Sequence, residues 1–195
     1  KWKEKDKDDV WQQIVKYKIH NQAMLLKKLK IEGYEKLLDY ERCVESGDKT
    51  NREGHAAKVY FNLLFGKNFI RGEKDDINIS LDYGYSIILS TFNKEIVSKG
   101  YITPIGINHK NEYNQFNLSC DLMEPYRPLI DEIVYNNINN AFNKTQKYKL
   151  IDVLNQIIVL NNKEQYVSNA IPIYIQSVFN TLENIKESKV YNYEI

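Results

Sequence analysis

The chain has 195 residues, with 27 Lys or Arg against 26 Asp or Glu and a formal net charge of +1. That balance excludes a nucleic-acid binder held by overall charge, so any basic surface must be local. Its only two cysteines, Cys43 and Cys120, exclude a disulfide-stapled scaffold and a cysteine-rich zinc fold.

No run of about 18 apolar residues offers a membrane-spanning helix, and no signal-peptide pattern is present, so the expected location is the cytoplasm. There both thiols are expected to be buried and reduced. The length suits one good core or two small ones, and a start at Lys1 rather than Met suggests a piece of a longer protein.

Lys1–Asp9 is a charge run that reads as a solvated approach to a helix capped by Asp8 or Asp9. Trp11, Ile14, Val15, Ile19, Leu25, Leu26 and Leu29 then recur at helical spacing, with His20 at the surface or the core edge. Tyr34–Glu45 predicts a shorter helix with Leu37, Leu38 and Cys43 inward, stopped near Gly47.

A third helix is predicted over Thr50–Gly66, with Ala56, Ala57, Tyr60, Phe61 and Leu64 as its buried stripe. Glu53 near its start admits two readings. With Thr50 it spells a capping box, in which the carboxylate only satisfies a backbone N–H. Gly54 weighs against that, because a helical glycine costs up to ~1 kcal/mol and asks for a reason, such as close approach of a phosphate or another helix. His55 lies about 200° round the helix from Glu53, so the two do not form one ligand pair.

The loop from Gly66 to Asn78 carries Arg71. A long helix is expected from about Ser80 to Lys99, with Leu81, Tyr85, Ile88, Leu89, Phe92 and Ile96 inward. Gly84 between Tyr83 and Tyr85 implies two helices in close contact. Tyr101–Phe116, with Pro104 and Gly106, reads as a loop. It carries His109 in G-I-N-H-K, either a simply exposed imidazole or one presented to a site by a rigid scaffold.

Ser119–Asp131, S-C-D-L-M-E-P-Y-R-P-L-I-D, is the stretch around which the chain is organised. Asp121 and Glu124 stand three apart and share a helix face. Leu129, Ile130, Ile133 and Val134 have the spacing of a buried helix, and Pro125 and Pro128 suit a first turn or a kink. Two carboxylates at a stiff, partly apolar helix start are costly unless a cation or a proton neutralises them. Together with His109 and Glu53 they make an oxygen-rich set with one imidazole and no thiolate. That is the chemistry of Mg²⁺ or Mn²⁺ rather than structural zinc, and such ions serve phosphoryl transfer.

Thr145 opens a helix predicted to run through Leu150, Val153, Leu154, Ile157 and Ile158. A last helix is expected from Ile171–Pro172, with Ile175, Val178, Phe179, Leu182 and Ile185 inward, followed by a fraying tail, Val190–Ile195. The fold class expected is all-α, about seven helices in one domain spanning the chain.

Four blocks, R-E-G-H-A-A-K-V-Y-F (52–61), L-D-Y-G-Y-S-I-I-L-S (81–90), G-I-N-H (106–109) and D-L-M-E-P-Y-R-P-L-I-D (121–131), stand in one order and spacing. In them the chain resembles the catalytic C-terminal domain of the CRISPR adaptation integrases, the Cas-one family, of the type II kind. The resemblance implies a metal-dependent DNA integrase or endonuclease that inserts spacer DNA into a CRISPR array in antiviral defence. It implies Glu53, His109 and Glu124 as the catalytic, metal-binding triad for Mg²⁺ or Mn²⁺, with Asp121 as an additional acidic residue beside them. Arg127 is implied to face DNA, with Arg71 and Arg52 as further phosphate contacts. His109 as a neutral ligand implies that low pH competes with the ion.

The implied partners are DNA, as prespacer and CRISPR repeat, and a Cas-two dimer. The family's homodimer is made by an N-terminal β-sandwich missing from this piece, which is therefore expected to be monomeric. Asp82 departs from the family's L-N-Y-G-Y and leaves the role of that position open. Two other classes compete: a non-catalytic helical DNA-binding or assembly module, whose acidic groups serve as caps and ion pairs, and a helical metal phosphohydrolase of nucleotides. The second should show adjacent His-Asp ligands, which the sequence lacks.

Overall fold

One long helix, α1 (Glu4–Lys28), frames the computed structural model, which describes residues 2–138 and 141–194. Its buried stripe runs through Val10, Trp11, Ile14, Val15, Ile19, Ala23, Leu25 and Leu26. The helix starts before the predicted caps: Lys3, not Asp8 or Asp9, holds the N-cap position and makes no side-chain cap bond. Glu4 and Asp6 in the first turn favour that start through the helix dipole. Asp9 instead accepts a hydrogen bond from Ser46 Oγ at 2.8 Å.

Helices α2 (Glu35–Arg42) and α3 (Arg52–Phe65) pack on α1 and on each other, and α4 (Asp76–Ser98) packs against the helices that follow it. The stretch around the paired carboxylates is two helices, α5 (Asn117–Met123) and α6 (Arg127–Tyr135), joined by a 3-10 turn over Glu124–Tyr126. Pro125 and Pro128 sit in the first positions of the turn and of α6, where a missing N–H costs little. Among the described residues the remaining α-helices are α7 (Lys144–Ile151) and α8 (Val167–Leu182).

Gly84 brings α4 against its neighbours as expected. A Cβ there would lie 2.5 Å from Ile130 Cγ2 of α6 and 3.1 Å from Leu150 Cδ2 of α7.

The capping box at Thr50 and Glu53 does not form. Asp48 accepts from the N–H groups of Arg52 and Glu53 at 2.8 and 3.0 Å, and Asn51 accepts from Gly54 N–H at 3.2 Å. Gly54 makes room for that cap rather than for a phosphate or another helix, since a Cβ would stand 2.8 Å from Asn51 Oδ1. The Glu53 carboxylate is thereby left to face α1.

The molecule is helical with one small sheet that the sequence reading lacked. Strands β1 (Ile157–Leu160), β2 (Lys163–Tyr166) and β3 (Tyr193–Glu194) pair antiparallel in the order β2-β1-β3. The helix predicted through Ile158 ends at Ile151. The β-branched run I-I-V-L prefers a pleated surface, and Asn161 and Asn162, at φ 52° and 60°, make the tight hairpin turn. The last helix starts at Val167, so Pro172 falls inside it rather than in its first turn.

Residues 190–194 do not fray. Val190 and Tyr193 are buried, Tyr193 Oη donates to Pro125 O at 3.0 Å, and Tyr17 Oη donates to Val190 O at 3.0 Å. Lys1 and Ile195 lie outside the described residues. Cys43, at the C-cap of α2, is exposed and Cys120 half-buried, so neither is the buried thiol expected; both are free. Among the described residues no helix is long and apolar enough to cross a membrane.

Candidate metal centre

The site is built where α1, α3 and the α5–α6 turn meet. Lys18 projects from the buried side of α1, and its ammonium lies 2.6 Å from Glu53 Oε1 of α3 and 2.5 Å from Glu124 Oε2 of the turn. Glu124 is 4% exposed. Its other oxygen accepts from Arg127 Nε at 2.9 Å, with Arg127 Nη2 at 2.8 Å.

Burial alone pushes the Glu124 carboxyl up, but Arg127 and Lys18 outweigh it and bring it down to about 2. The same balance runs in reverse at Lys18, where burial disfavours the charge and the two carboxylates raise it above the ordinary lysine value. Lys18 is thus the cation that neutralises both carboxylates at this point of the structure.

His109 approaches from the loop between α4 and α5. That loop wraps Asp121, which has no solvent exposure and accepts from the N–H groups of Ile107 at 2.6 Å, Asn108 at 2.9 Å and His109 at 3.2 Å. Gly106 permits the wrap, because a Cβ there would sit 2.5 Å from His109 O and 2.6 Å from Asp121 Oδ2. His109 Nδ1 stands 2.5 Å from Asp121 Oδ1, and the ring meets Trp11 edge-on at 6.0 Å. The Asp121 hydrogen bond raises the imidazole above its ordinary value against the pull of burial, and the charges of Asp121, Glu124 and Glu53 add to the rise. With Nδ1 committed to a carboxylate, Nε2 is the nitrogen left for a ligand, the arrangement usual for metal-binding histidines.

Of the predicted site residues, the structure therefore joins Glu53 to Glu124 through one ammonium and places His109 in their electrostatic reach. It does not close the three into a ligand shell: among the described residues, no three His, Cys, Asp or Glu side chains are grouped to hold an ion. Asp121, held in reserve as a further acidic ligand by the sequence, spends its oxygens on orienting His109.

Arg127 and Arg71 share a cleft of about 170 Å³ with Lys18, Gln22, Tyr85 and Glu124. Arg127 Cζ lies 4.5 Å and Arg71 Cζ 5.4 Å from the Tyr85 ring centre. Buried Asp131 holds that ring by accepting from Tyr85 Oη at 2.5 Å and from Tyr60 Oη at 2.8 Å. Arg71 is also paired with Asp82 at 2.5 Å, an ion pair exposed on the Asp82 side. Arg52 donates to Thr50 Oγ1 and does not line this cleft.

The residue that sequence reasoning missed is Lys18. Its signal was present: Lys18 and Gln22 occupy turns of the stripe that Trp11, Val15 and Leu25 define, where apolar side chains are expected.

The family model described as "CRISPR associated protein Cas1" matches residues 3–169. The chain is 36% identical over 126 residues to the CRISPR-associated endonuclease Cas1 of Neisseria meningitidis, covering 64% of this chain and 41% of that protein. It is 28% identical over 143 residues to a second such endonuclease, from Thermus thermophilus, covering 66% of this chain and 43% of that protein. It thus spans less than half the length of these relatives.

A Cas1 protein from Thermotoga maritima superimposes with a TM-score of 0.79 at 18% identity, over 92% of this chain and 66% of that one. A casposase bound to its integration product gives 0.77 at 20% identity, over 94% of this chain and 63% of that one. A Cas6-RT-Cas1–Cas2 complex gives 0.74 at 23% identity, over 95% of this chain and 25% of that one. A family match over most of its length, on a fold shared with solved members, makes the chain a member of the CRISPR-associated Cas1 family.

Proposed function

We propose that this chain is the catalytic part of a metal-dependent DNA integrase that joins a DNA 3′-hydroxyl to a phosphodiester at a CRISPR repeat. The observation that carries the reading is the cation position between Glu53 and Glu124, with His109 oriented by Asp121 at its side. Two carboxylates and an imidazole nitrogen fit Mg²⁺ or Mn²⁺, and Glu53, Glu124 and His109 Nε2 are the groups that would hold it. Such an ion, when bound, offsets the charge that develops on the phosphoryl oxygens and lowers the pKa of an attacking hydroxyl.

The chain's own residues supply the rest. Arg127, fixed by Glu124 and by the Tyr85 ring, offers a planar guanidinium to a phosphate at the edge of the centre. Arg71 lies across the same ring and can take a neighbouring phosphate once it leaves Asp82. These contacts position DNA without reading its bases. Bond-making and bond-breaking both involve sugar hydroxyls, so the reaction runs either way, joining ends or resolving a branch.

The relatives' names as endonucleases, the casposase on its integration product and the fold's presence in Cas1–Cas2 complexes support the reading. A Cas2 dimer is the partner we assign, and prespacer and repeat DNA the substrates. The test is resolution of a branched DNA in Mn²⁺ by wild type and by His109→Ala, matched for folding by circular dichroism. Loss of at least ~10²-fold with DNA binding retained supports it, since an outer-shell partner alone is worth 10–100-fold. Equal activity removes His109 from the site.

A further inference from the structure

We propose that Lys18 is the site's internal counter-ion: its ammonium holds the metal position in the ion-free protein and must move out for a divalent cation to enter. The inference rests on the metal reading above and adds a residue to it.

The geometry is specific. One ammonium at 2.6 and 2.5 Å from carboxylate oxygens on two separate elements fills the gap between them, so an ion and the ammonium cannot share it. Without the ammonium, Glu53 and a buried Glu124 would face each other with Arg127 as the remaining counter-charge, a costly arrangement for a metal-free chain. Lys18 lets the centre fold before any ion arrives.

A second, independent observation gives the ammonium somewhere to go. Gln22 is 1% exposed, and its Oε1 is buried without a hydrogen-bond partner. A lone buried acceptor is costly and asks for an occupant. Gln22 stands one turn after Lys18 on α1, where side chains at i and i+4 adjoin, and both line the cleft that holds Arg127 and Arg71. A lysine side chain swung one turn along α1 reaches that oxygen. It then leaves two carboxylates for the ion and keeps its charge in the cleft with the two arginines, no longer spent on Glu53 and Glu124. The same lysine thus serves two states, as a positioning residue: it guards the carboxylates when the ion is absent and faces the phosphates when it is present.

The experiment measures Mn²⁺ affinity by electron paramagnetic resonance for wild type, Lys18→Met and Gln22→Leu, with thermal midpoints in the presence and absence of Mn²⁺. Removing the competitor should tighten Mn²⁺ binding in Lys18→Met by about tenfold or more, within the usual range of coupling between two ligands. The midpoint without metal should fall, and its rise on adding Mn²⁺ should exceed that of wild type. Gln22→Leu, which removes the refuge and keeps the competitor, should bind Mn²⁺ several-fold more weakly. These are readouts that a purely structural lysine would not move in this pattern.

Wild type that binds Mn²⁺ and Lys18→Met that binds it equally or less well would overturn the inference and leave the metal reading standing. Mn²⁺ bound by neither would overturn the metal reading and the inference with it. If Lys18→Met fails to fold, the wild-type chain labelled with ¹³C at lysine Cε decides the matter under Mg²⁺ titration. A saturable shift of the Lys18 signal supports displacement, and an unmoved signal rules it out.

Discussion

Asp121 and Asp131 are both sealed from solvent, yet their surroundings give them opposite tasks. Asp121 gathers three backbone N–H groups and the His109 ring, so its charge is spent on holding one loop and one imidazole. Asp121→Asn replaces an acceptor oxygen with an NH₂ that faces donors. The expected outcome is a 10–100-fold fall in Mn²⁺-dependent branch resolution with DNA affinity retained, measured by gel shift beside the activity assay. Asp131 accepts from two phenols, and burial raises its carboxyl to about 6 although the Tyr85 and Tyr60 hydrogen bonds and the charges of Arg127 and Lys18 pull it down. The folded state therefore binds this proton more tightly than the unfolded chain does. Its contribution to stability is full below about pH 4 and is lost as pH rises through about 6, a change on the order of 3 kcal/mol. Urea unfolding of wild type and Asp131→Asn at pH 4 to 7 checks this: the gap between them should shift against wild type as pH rises, and a constant gap would exclude it. The sequence showed Asp121, Glu124 and His109 as a group because short spacing and a loop motif place them together. It could not show that Asp121 serves His109 or that Lys18 bridges Glu53 to Glu124, because these contacts span up to 106 positions of chain and depend on which way each helix turns.

The elements were legible wherever periodicity outweighed everything else. α3 and α4 stand close to their predicted ranges, α1 starts earlier than its predicted caps, and the two prolines beside Tyr126 stand in first turns, one of the two places expected of them. The failure at residues 157–166 has a local cause: I-I-V-L is apolar at both helical and strand spacing, and the N-N turn that decides the matter follows it. Gly84 offers a test of packing at this scale. On helix propensity alone, Gly84→Ala should gain roughly 0.5–1 kcal/mol. Its new methyl would instead meet Ile130 Cγ2 at 2.5 Å, and overpacking of that kind costs about 1–3 kcal/mol. We expect net destabilisation, seen in calorimetry as a midpoint lowered by roughly 2–4 °C for each kcal/mol in a domain of this size. A raised midpoint would mean that α4 can back away from α6 without loss.

Over the whole molecule, with a net charge of +1, the proposed function requires a few clustered cations to hold DNA, and the cleft beside the Tyr85 ring is where three of them gather. Arg127→Ala should weaken binding to all DNA sequences alike and reduce the slope of log affinity against log salt by about one. Titrations at several salt concentrations give both numbers, and an unchanged slope would place Arg127 away from the phosphates. The core is continuous from α1 through α8, so thermal unfolding should be one cooperative transition. The tail at 190–194 carries a consequence of another kind, in the order of events as the chain folds. Tyr17 meets Val190, and the Asn21 and Asn192 amides bond each other, contacts between residues 173 and 171 positions apart. The helix that carries Lys18 is thus secured on this face by residues far along the chain from it. A chain cut before residue 190 would hold every predicted ligand and lack the clasp on the helix beneath them. Contacts of such long range are slow to close, so competence for ion binding should appear late in refolding, after the helices themselves have formed.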